Sequence, residues 1–310
     1  MKQKMETRLL KTLKGWINMS SSPSVAENDR SPNTTRQTAT GTCMVPSAAL
    51  LPFILTTFAI TWGIVGLYIF RPGTAVAWFG EISGRHPAFI LATWAPAFAA
   101  FFVVLTHGGV AGLRAFLTRL AIWRCSVSWA IFLLFGIPLT FAAGAWVKGT
   151  LISDPFAFDG IGATLGAMVF MLFLGPVEEF GWRGLAQPLL QRHMAPLWAG
   201  LLIGATWGLW HLPAFYLSGS VQSGWSFTPF FIGNVSLAVI VTPLFNSTHG
   251  SILLPALFHY QLINPLWPDA QPYDTYFFVL VAIAIVWLNR ASMFTRSDAV
   301  TAVVPTSRCE

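Results

Sequence analysis

Long apolar runs alternate with short polar segments from about residue 47 to residue 290. A helix that crosses a bilayer needs ~20 mostly apolar residues, and about eight runs approach this length. We predict spans at 47–70, 87–106, 127–147, 161–180, 196–217, 229–246, 250–264 and 274–290. The pattern therefore predicts an all-α, polytopic membrane protein with about eight transmembrane helices.

Composition and charge agree with a membrane location. Hydrophobic residues make up 55% of the chain and charged residues 10%, whereas soluble domains average ~25% charged residues. Basic residues concentrate near the ends and in the loops on one side of the predicted bundle, which places both termini in the cytoplasm. No nucleic-acid motif accompanies them. We expect an integral, multi-pass protein of a plasma, inner or endoplasmic-reticulum membrane, with the lipid bilayer as a partner and no nucleic acid.

The chain divides into three regions by composition. Residues 1–46 are basic and rich in Ser, Thr, Pro and Asn, so we expect a largely disordered cytoplasmic tail. Within it, residues 5–18 carry apolar and basic positions at helical spacing, which fits either an interfacial helix or a segment upstream of a later start. Residues 47–294 hold the predicted spans, and residues 295–310 form a short C-terminal tail.

Five ionisable residues stand in or beside the apolar runs. Glu178, Glu179 and Arg183 lie at the end of the fourth run, His211 in the fifth and His259 in the seventh. Ionisable groups at membrane depth are costly and usually face a polar cavity, a substrate path or a proton relay. The set therefore predicts a functional site. The alternatives are that the acids end a helix at the bilayer edge and that each histidine only hydrogen-bonds a neighbouring helix.

Spacing separates the roles of the acids. Glu179 and Arg183 are four residues apart, so they share a helix face and we expect a structural ion pair. Glu178 points ~100° away from that face and is left free to act as a general base on water. Because Glu178 lies at the cytoplasmic end of the fourth span, we expect the site to open towards the cytoplasm, the side of both termini.

The histidines widen the choice of chemistry. An imidazole can accept a proton, bind a metal or donate to a developing oxyanion. Glu178, His211 and His259 would suit either water activation or a zinc ion, since two histidines and a glutamate form a known catalytic zinc set. The usual zinc-helix motif, HExxH, is not in the sequence. The spacing leaves both alternatives open.

At these residues the sequence resembles the CPBP family of intramembrane proteases. This family is also called the CAAX protease/bacteriocin-processing or Abi family, and it includes the type II CaaX prenyl endopeptidases. Its Glu-Glu-x-x-x-Arg motif is matched by Glu178, Glu179 and Arg183. Its Phe-x-x-x-His motif is matched by His211 with Trp207 in place of the phenylalanine, a conservative departure.

The third family motif is His-x-x-x-Asn or His-x-x-x-Asp. His259 fits it, but the amide follows one place late, at Asn264. The resemblance implies that Glu178 with His211 activates a water molecule for attack on a peptide carbonyl. It also implies that His259, together with Asn264, stabilises the resulting oxyanion.

The resemblance further implies a conical polar cavity within the membrane, braced by Glu179 and Arg183. It leaves open a divalent metal cofactor such as zinc, which Glu178, His211 and His259 would hold. The implied activity is that of an intramembrane endopeptidase. Its partner would be a membrane-associated peptide or protein, including a lipid-modified CaaX-type one.

Two rival functions use the same sequence features. A non-catalytic immunity or scaffold protein could share the fold, because fold does not fix function. A proton-coupled transporter could use the polar residues as an ion path. Transporters more often show two symmetric halves, and no such repeat is visible in this sequence.

Overall fold

The computed structural model describes residues 45–152 and 160–305. The predicted tail 1–46 therefore lies outside the described residues, except for its last two positions. Within the described ranges every regular element is helical and no strand occurs.

Eleven helices of this structure are labelled in chain order. They are α1 Leu50–Phe70, α2 Pro72–Phe79, α3 Pro87–Leu117, α4 Val127–Lys148, α5 Ile161–Leu174, α6 Gln187–Gln191, α7 Pro196–Trp210, α8 Phe227–Ser247, α9 Leu253–Leu262, α10 Tyr273–Leu288 and α11 Arg290–Met293. Each of the eight predicted spans coincides with one of the helices α1, α3, α4, α5, α7, α8, α9 and α10.

Five helical segments are long and apolar enough to cross a membrane, judged among the described residues. They are Ser47–Phe70, Pro87–Ala121, Val127–Lys148, Ile161–Gln191 and Phe227–Ser247. The other three predicted spans are helices of 15, 10 and 16 residues. The prediction of an all-α, multi-pass membrane protein is confirmed, and the count of eight spans stays a prediction.

The fourth span is not a continuous α-helix. Helix α5 ends before Gly175, and Pro176 cannot donate the backbone hydrogen bond that would continue it. The chain then forms a 3-10 turn at Pro176–Glu178 and a π-helix at Phe180–Ala186 before α6 begins. Such π segments are frequent at functional sites. This change of helical pitch sets the directions of the two glutamates.

Helices α7 and α8 pack closely along a row of glycines. The row consists of Gly200, Gly204 and Gly208. A spacing of four residues places them on one helix face, an arrangement that lets membrane helices approach closely. A Cβ atom at Gly204 would lie 2.6 Å from the Cα of Val235 on α8. The row therefore fixes the position of α7, which carries Trp207 and is followed directly by His211.

The C-terminal segment packs into the bundle. Val303 and Val304 are buried in the same hydrophobic core as α1 and α3. The buried side chain of Arg119 donates hydrogen bonds to the carbonyl oxygens of Gly184, Gly250 and Val303, at 2.8, 2.6 and 2.9 Å. The packed core thus includes residues beyond position 294, and the predicted domain boundary there stays a prediction.

Candidate active site

A cavity of about 390 Å³ reaches into the helix bundle. Its inner end is lined by Glu178, His211 and His259. Its walls are mostly apolar and include Phe89, Phe170, Leu174 and Leu217. Three ionisable groups from three separate helical segments thus meet at one end of an apolar cavity.

The cavity opens at the face opposite the C-terminal segment. Its mouth is lined by residues 82–84, between α2 and α3, and by residues 217–222, between α7 and α8. Arg192 marks the other face, where its side chain donates to the carbonyl oxygens of Val45 and Thr301 at 2.6 and 2.9 Å. Helix α1 runs from Val45 towards the mouth. The expectation that the site opens on the side of the termini is therefore wrong.

The physical reason lies in the segment that follows the acids. Arg183, Gln187 and Gln191 are buried there and fill the space between the acids and the C-terminal segment. Gln191 donates hydrogen bonds to Asn246 and to the carbonyl oxygen of Val300, at 2.9 and 2.7 Å. These contacts close the route from the acids to the face of the C-terminal segment.

Glu178 ends the 3-10 turn and is 3% exposed. Its Oε2 accepts a hydrogen bond of 2.8 Å from the indole Nε1 of Trp207. Arg183 makes no ion pair with it, as the spacing predicted. The carboxylate therefore faces the cavity with its position set by an uncharged donor.

Glu179, Arg183 and His259 form a buried network. Glu179 Oε1 accepts from Arg183 Nη1 at 3.1 Å and from His259 Nδ1 at 2.8 Å. The predicted pair between Glu179 and Arg183 is present in this structure. Because buried charges are tolerated only when they are paired, the network holds the His259 ring in one orientation. A Cβ at Gly175 would lie 2.9 Å from His259 Nε2, so this glycine makes room for the ring.

His211 follows the last residue of α7. Its Nδ1 lies 2.9 Å from the carbonyl oxygen of Trp207. A carbonyl oxygen can only accept, so Nδ1 carries a proton and the neutral ring keeps a lone pair on Nε2. The ring packs against Trp210 and Phe230, at centroid distances of 4.7 and 5.2 Å. His211 is thus oriented as a hydrogen-bond acceptor at the inner end of the cavity.

Asn264 is not brought to this place. Helix α9 ends at Leu262, and Asn264 lies in the turn that follows. Its Nδ2 donates to Gln261 at 3.1 Å, and its Oδ1 accepts from the backbone of Leu266 at 3.0 Å. Leu262 and Ile263 line the cavity, but Asn264 does not. The structure therefore assembles five of the six predicted site residues.

Comparison with known proteins shows which family this chain resembles. A model of the Rce1-like family, described as type II CAAX prenyl endopeptidase Rce1-like, matches residues 160–262. Over these residues the chain is similar to the Rce1-like family. The chain is also similar to CAAX prenyl protease 2 of Methanococcus maripaludis, with 29% identity over 176 residues. That alignment covers 53% of this chain and 64% of the relative, so the chain spans less than two thirds of the relative's length.

The Rce1-like match coincides with the site. It begins at Gly160, just before α5, and ends at Leu262, the last residue of α9. It therefore contains Glu178, His211 and His259 and stops short of Asn264. Helices α1 and α3 lie outside the match, although they supply part of the cavity wall.

A metal ion at this site is one of the alternatives that the sequence left open. No group of three His, Cys, Asp or Glu side chains in the described ranges is placed to hold a metal ion. The rings of His211 and His259 instead pack against the ring of Trp207, at 5.6 and 5.3 Å between centroids. The zinc expectation stays a prediction, and no step below depends on a metal.

Two features of the site were not predicted from the sequence. Trp207 was treated as a conservative replacement, although an indole has an N–H donor that phenylalanine lacks. The spacing of Gly200, Gly204 and Gly208 could have indicated a close contact between two membrane helices. Both signals are present in the sequence.

Proposed function

We propose that this chain is an intramembrane endopeptidase that hydrolyses a peptide bond with a water molecule activated by Glu178 and His211. One observation carries the proposal. Glu178, His211 and His259 meet at the inner end of an apolar cavity in a membrane-embedded helix bundle. The match of residues 160–262 to a family named for endopeptidases supports the same reaction.

The chemical step uses the two acceptors at the cavity end. A water molecule donates one hydrogen bond to Glu178 and one to Nε2 of His211. Its oxygen attacks the carbonyl carbon of the scissile bond while Glu178 takes the proton, as a general base does. The tetrahedral intermediate then collapses and the C–N bond breaks. Glu178 returns the proton to the departing amine, so that the side chains end in their starting state.

His259 supplies the charge that the intermediate needs. Glu178 and Glu179 carry two negative charges, and Arg183 carries one positive charge. When His259 is protonated the four groups are neutral together, which lowers the cost of burying them. Its Nδ1–H stays with Glu179, and its Nε2–H is available to the oxyanion. A donor aimed at a developing oxyanion is worth ~10²–10³ in turnover.

The cavity walls indicate the substrate class. Phe89, Phe170, Leu174 and Leu217 offer apolar contact, and only the inner end is ionisable. We propose a peptide that enters from the membrane and carries apolar or lipid-modified residues beside the scissile bond. The similar archaeal protein is named a CAAX prenyl protease, which makes prenylated peptides the first substrates to test.

The test is cleavage of a quenched panel of lipidated and unmodified peptides by the purified, reconstituted protein. Wild type is compared with Glu178→Gln and His211→Ala, each with and without a chelator. His107→Ala is the control, because this exposed histidine lies far from the cavity lining. We expect wild type and the control to cleave, both site variants to lose cleavage, and the chelator to have no effect.

Cleavage that persists in Glu178→Gln would overturn the proposed mechanism. Cleavage that the chelator abolishes, and that added zinc restores, would replace it with the metal alternative. Absence of cleavage by every folded sample across the panel would favour a non-catalytic protein on this fold.

A further inference from the structure

Trp207 contacts four of the five ionisable groups of the site. Its indole N–H bonds Glu178 Oε2 at 2.8 Å, and its backbone oxygen fixes Nδ1 of His211. The guanidinium of Arg183 lies 5.2 Å from the centroid of its ring, and the ring of His259 lies 5.3 Å away. Trp207 thus connects both histidines to Glu178, the glutamate that faces the cavity.

We propose that Trp207 is a positioning residue whose indole N–H orients the carboxylate of Glu178 for water activation. The inference rests on the proposed function and deepens it. It separates two contributions of one side chain. The ring surface supports Arg183 and His259, which a phenylalanine ring would also do. The N–H donor acts on Glu178, and phenylalanine at this position has none.

Burial makes this hydrogen bond directional. Trp207 and Glu178 are each 3% exposed, so bulk water does not compete for the donor or for Oε2. Hydrogen bonds to an ionised group are shorter and stronger than neutral ones. With Oε2 held by the indole, the carboxylate cannot rotate freely about its last bond. Its other oxygen is then turned towards the cavity, where the attacking water would bind.

The position of the donor is set by helix packing. Gly204 and Gly208 bracket Trp207 on α7, and Cβ atoms at these glycines would lie 2.6 and 2.7 Å from atoms of α8. Helix α7 therefore cannot shift towards α8 without a clash. The donor is held at hydrogen-bond distance by the backbone of two packed helices, and a positioning role needs this rigidity.

Trp182 provides a matched control. Its indole N–H lies near the Glu178 carboxylate but interacts with it more weakly than that of Trp207, and its side chain is fully buried. Its Nε1 makes no hydrogen bond of standard geometry with any described residue. Trp182→Phe thus removes an indole N–H from the same neighbourhood, without removing the bond that the proposal invokes.

The first experiment detects the hydrogen bond between Trp207 and Glu178 by NMR and does not depend on enzyme activity. The indole ¹H–¹⁵N resonance that disappears in Trp207→Phe is assigned to Trp207 in detergent-solubilised full-length protein. We expect this resonance to be shifted downfield in wild type, less so in Glu178→Gln, and least in Glu178→Ala. Should Trp207→Phe fail to fold, Trp207→Tyr serves for the assignment. A resonance that does not move in either Glu178 variant would overturn the proposal.

The second experiment tests the positioning role of Trp207 by enzyme kinetics. We expect Trp207→Phe to lower the turnover number by about 10- to 100-fold, the range for a hydrogen bond to a charged group. We expect KM to stay within about twofold, because the lost interaction concerns the reacting groups and not substrate binding. Trp182→Phe should lower the turnover number less. Equal losses in the two variants, or a loss confined to KM, would overturn the positioning role.

The two arms separate the inference from the proposed function. If the chain cleaves no peptide, the resonance of Trp207 still reports whether its N–H holds Glu178. If the chain cleaves peptides but the resonance is insensitive to Glu178, the protease assignment stands and the role of Trp207 falls.

Discussion

Substituting Gly204 by alanine tests whether close packing of α7 on α8 builds the site. The added Cβ would lie 2.6 Å from Val235 Cα, 2.9 Å from Ala238 Cβ and 3.1 Å from the carbonyl oxygen of Val235. Carbon atoms in contact prefer ~3.5–4.0 Å. Two of these three atoms belong to the backbone, so no rotamer change relieves the contact. The helices must separate by about 1 Å.

Opposing effects set the size of the result. Overpacking a tightly packed contact costs ~1–3 kcal/mol. Alanine is better than glycine in a helix interior by ~1 kcal/mol, which offsets part of this cost. We therefore expect the free energy of unfolding to fall by up to about 2 kcal/mol. The effect on turnover should be larger, because a displacement of ~1 Å in a catalytic group can cost about 10²-fold. Trp207 and His211 are both attached to the displaced helix.

The assay combines thermal unfolding in detergent with cleavage of the best peptide from the panel. Gly63→Ala on α1 is the matched control, since its Cβ would meet nothing within 4 Å. We expect the control to keep the turnover of wild type and to gain up to ~1 kcal/mol in stability, because it has the helix-propensity gain without the clash. We expect Gly204→Ala to be less stable than this control and to lose turnover. Equal behaviour of the two variants would refute the argument that this contact positions the site.

Three further predictions concern other parts of the molecule. Arg119→Met leaves three buried carbonyl oxygens without their donor, so we expect the free energy of unfolding to fall by at least ~2 kcal/mol and trypsin to release the C-terminal segment faster. An unchanged rate of trypsin cleavage would contradict this prediction. Asn264→Ala should keep the turnover number within about threefold, because the amide bonds locally; a loss like that of Glu178→Gln would return Asn264 to the site. In a background without native cysteines, Ser223→Cys and Ser297→Cys should react with an impermeant thiol reagent from opposite sides of the membrane, with Ser297→Cys on the cytoplasmic side. Labelling of both variants from the same side would contradict the described position of the cavity mouth.

The sequence determined the local elements of this protein. The predicted run 127–147 agrees with the helix Val127–Lys148, and 229–246 agrees with Phe227–Ser247. In a bilayer each segment must satisfy its own backbone hydrogen bonds, so a long apolar run can hardly be anything but a helix. The pair of Glu179 and Arg183 was equally predictable, because a spacing of four residues is a contact within one helical turn.

Contacts between distant segments could not be predicted in the same way. Glu178 and Trp207 are separated by 29 residues, and Glu179 and His259 by 80 residues. Apolar runs look alike on all sides in a membrane protein, so their pattern does not say which face of a helix meets which neighbour. The pattern of ionisable residues supplied five site residues and the family resemblance added Asn264, but neither supplied the donor on Glu178.

Only the tertiary structure decided where the site opens and how far the packed core extends. The sequence places Glu178 near the end of a span, but the break at Gly175 and Pro176 turns it into the bundle, and buried side chains close the side that the sequence favoured. Val303 lies beyond the last predicted span, yet it is buried in the core, where its carbonyl oxygen accepts a hydrogen bond from Arg119. Local composition does not predict either effect, because both depend on contacts between segments that are distant in the chain and meet in the folded bundle.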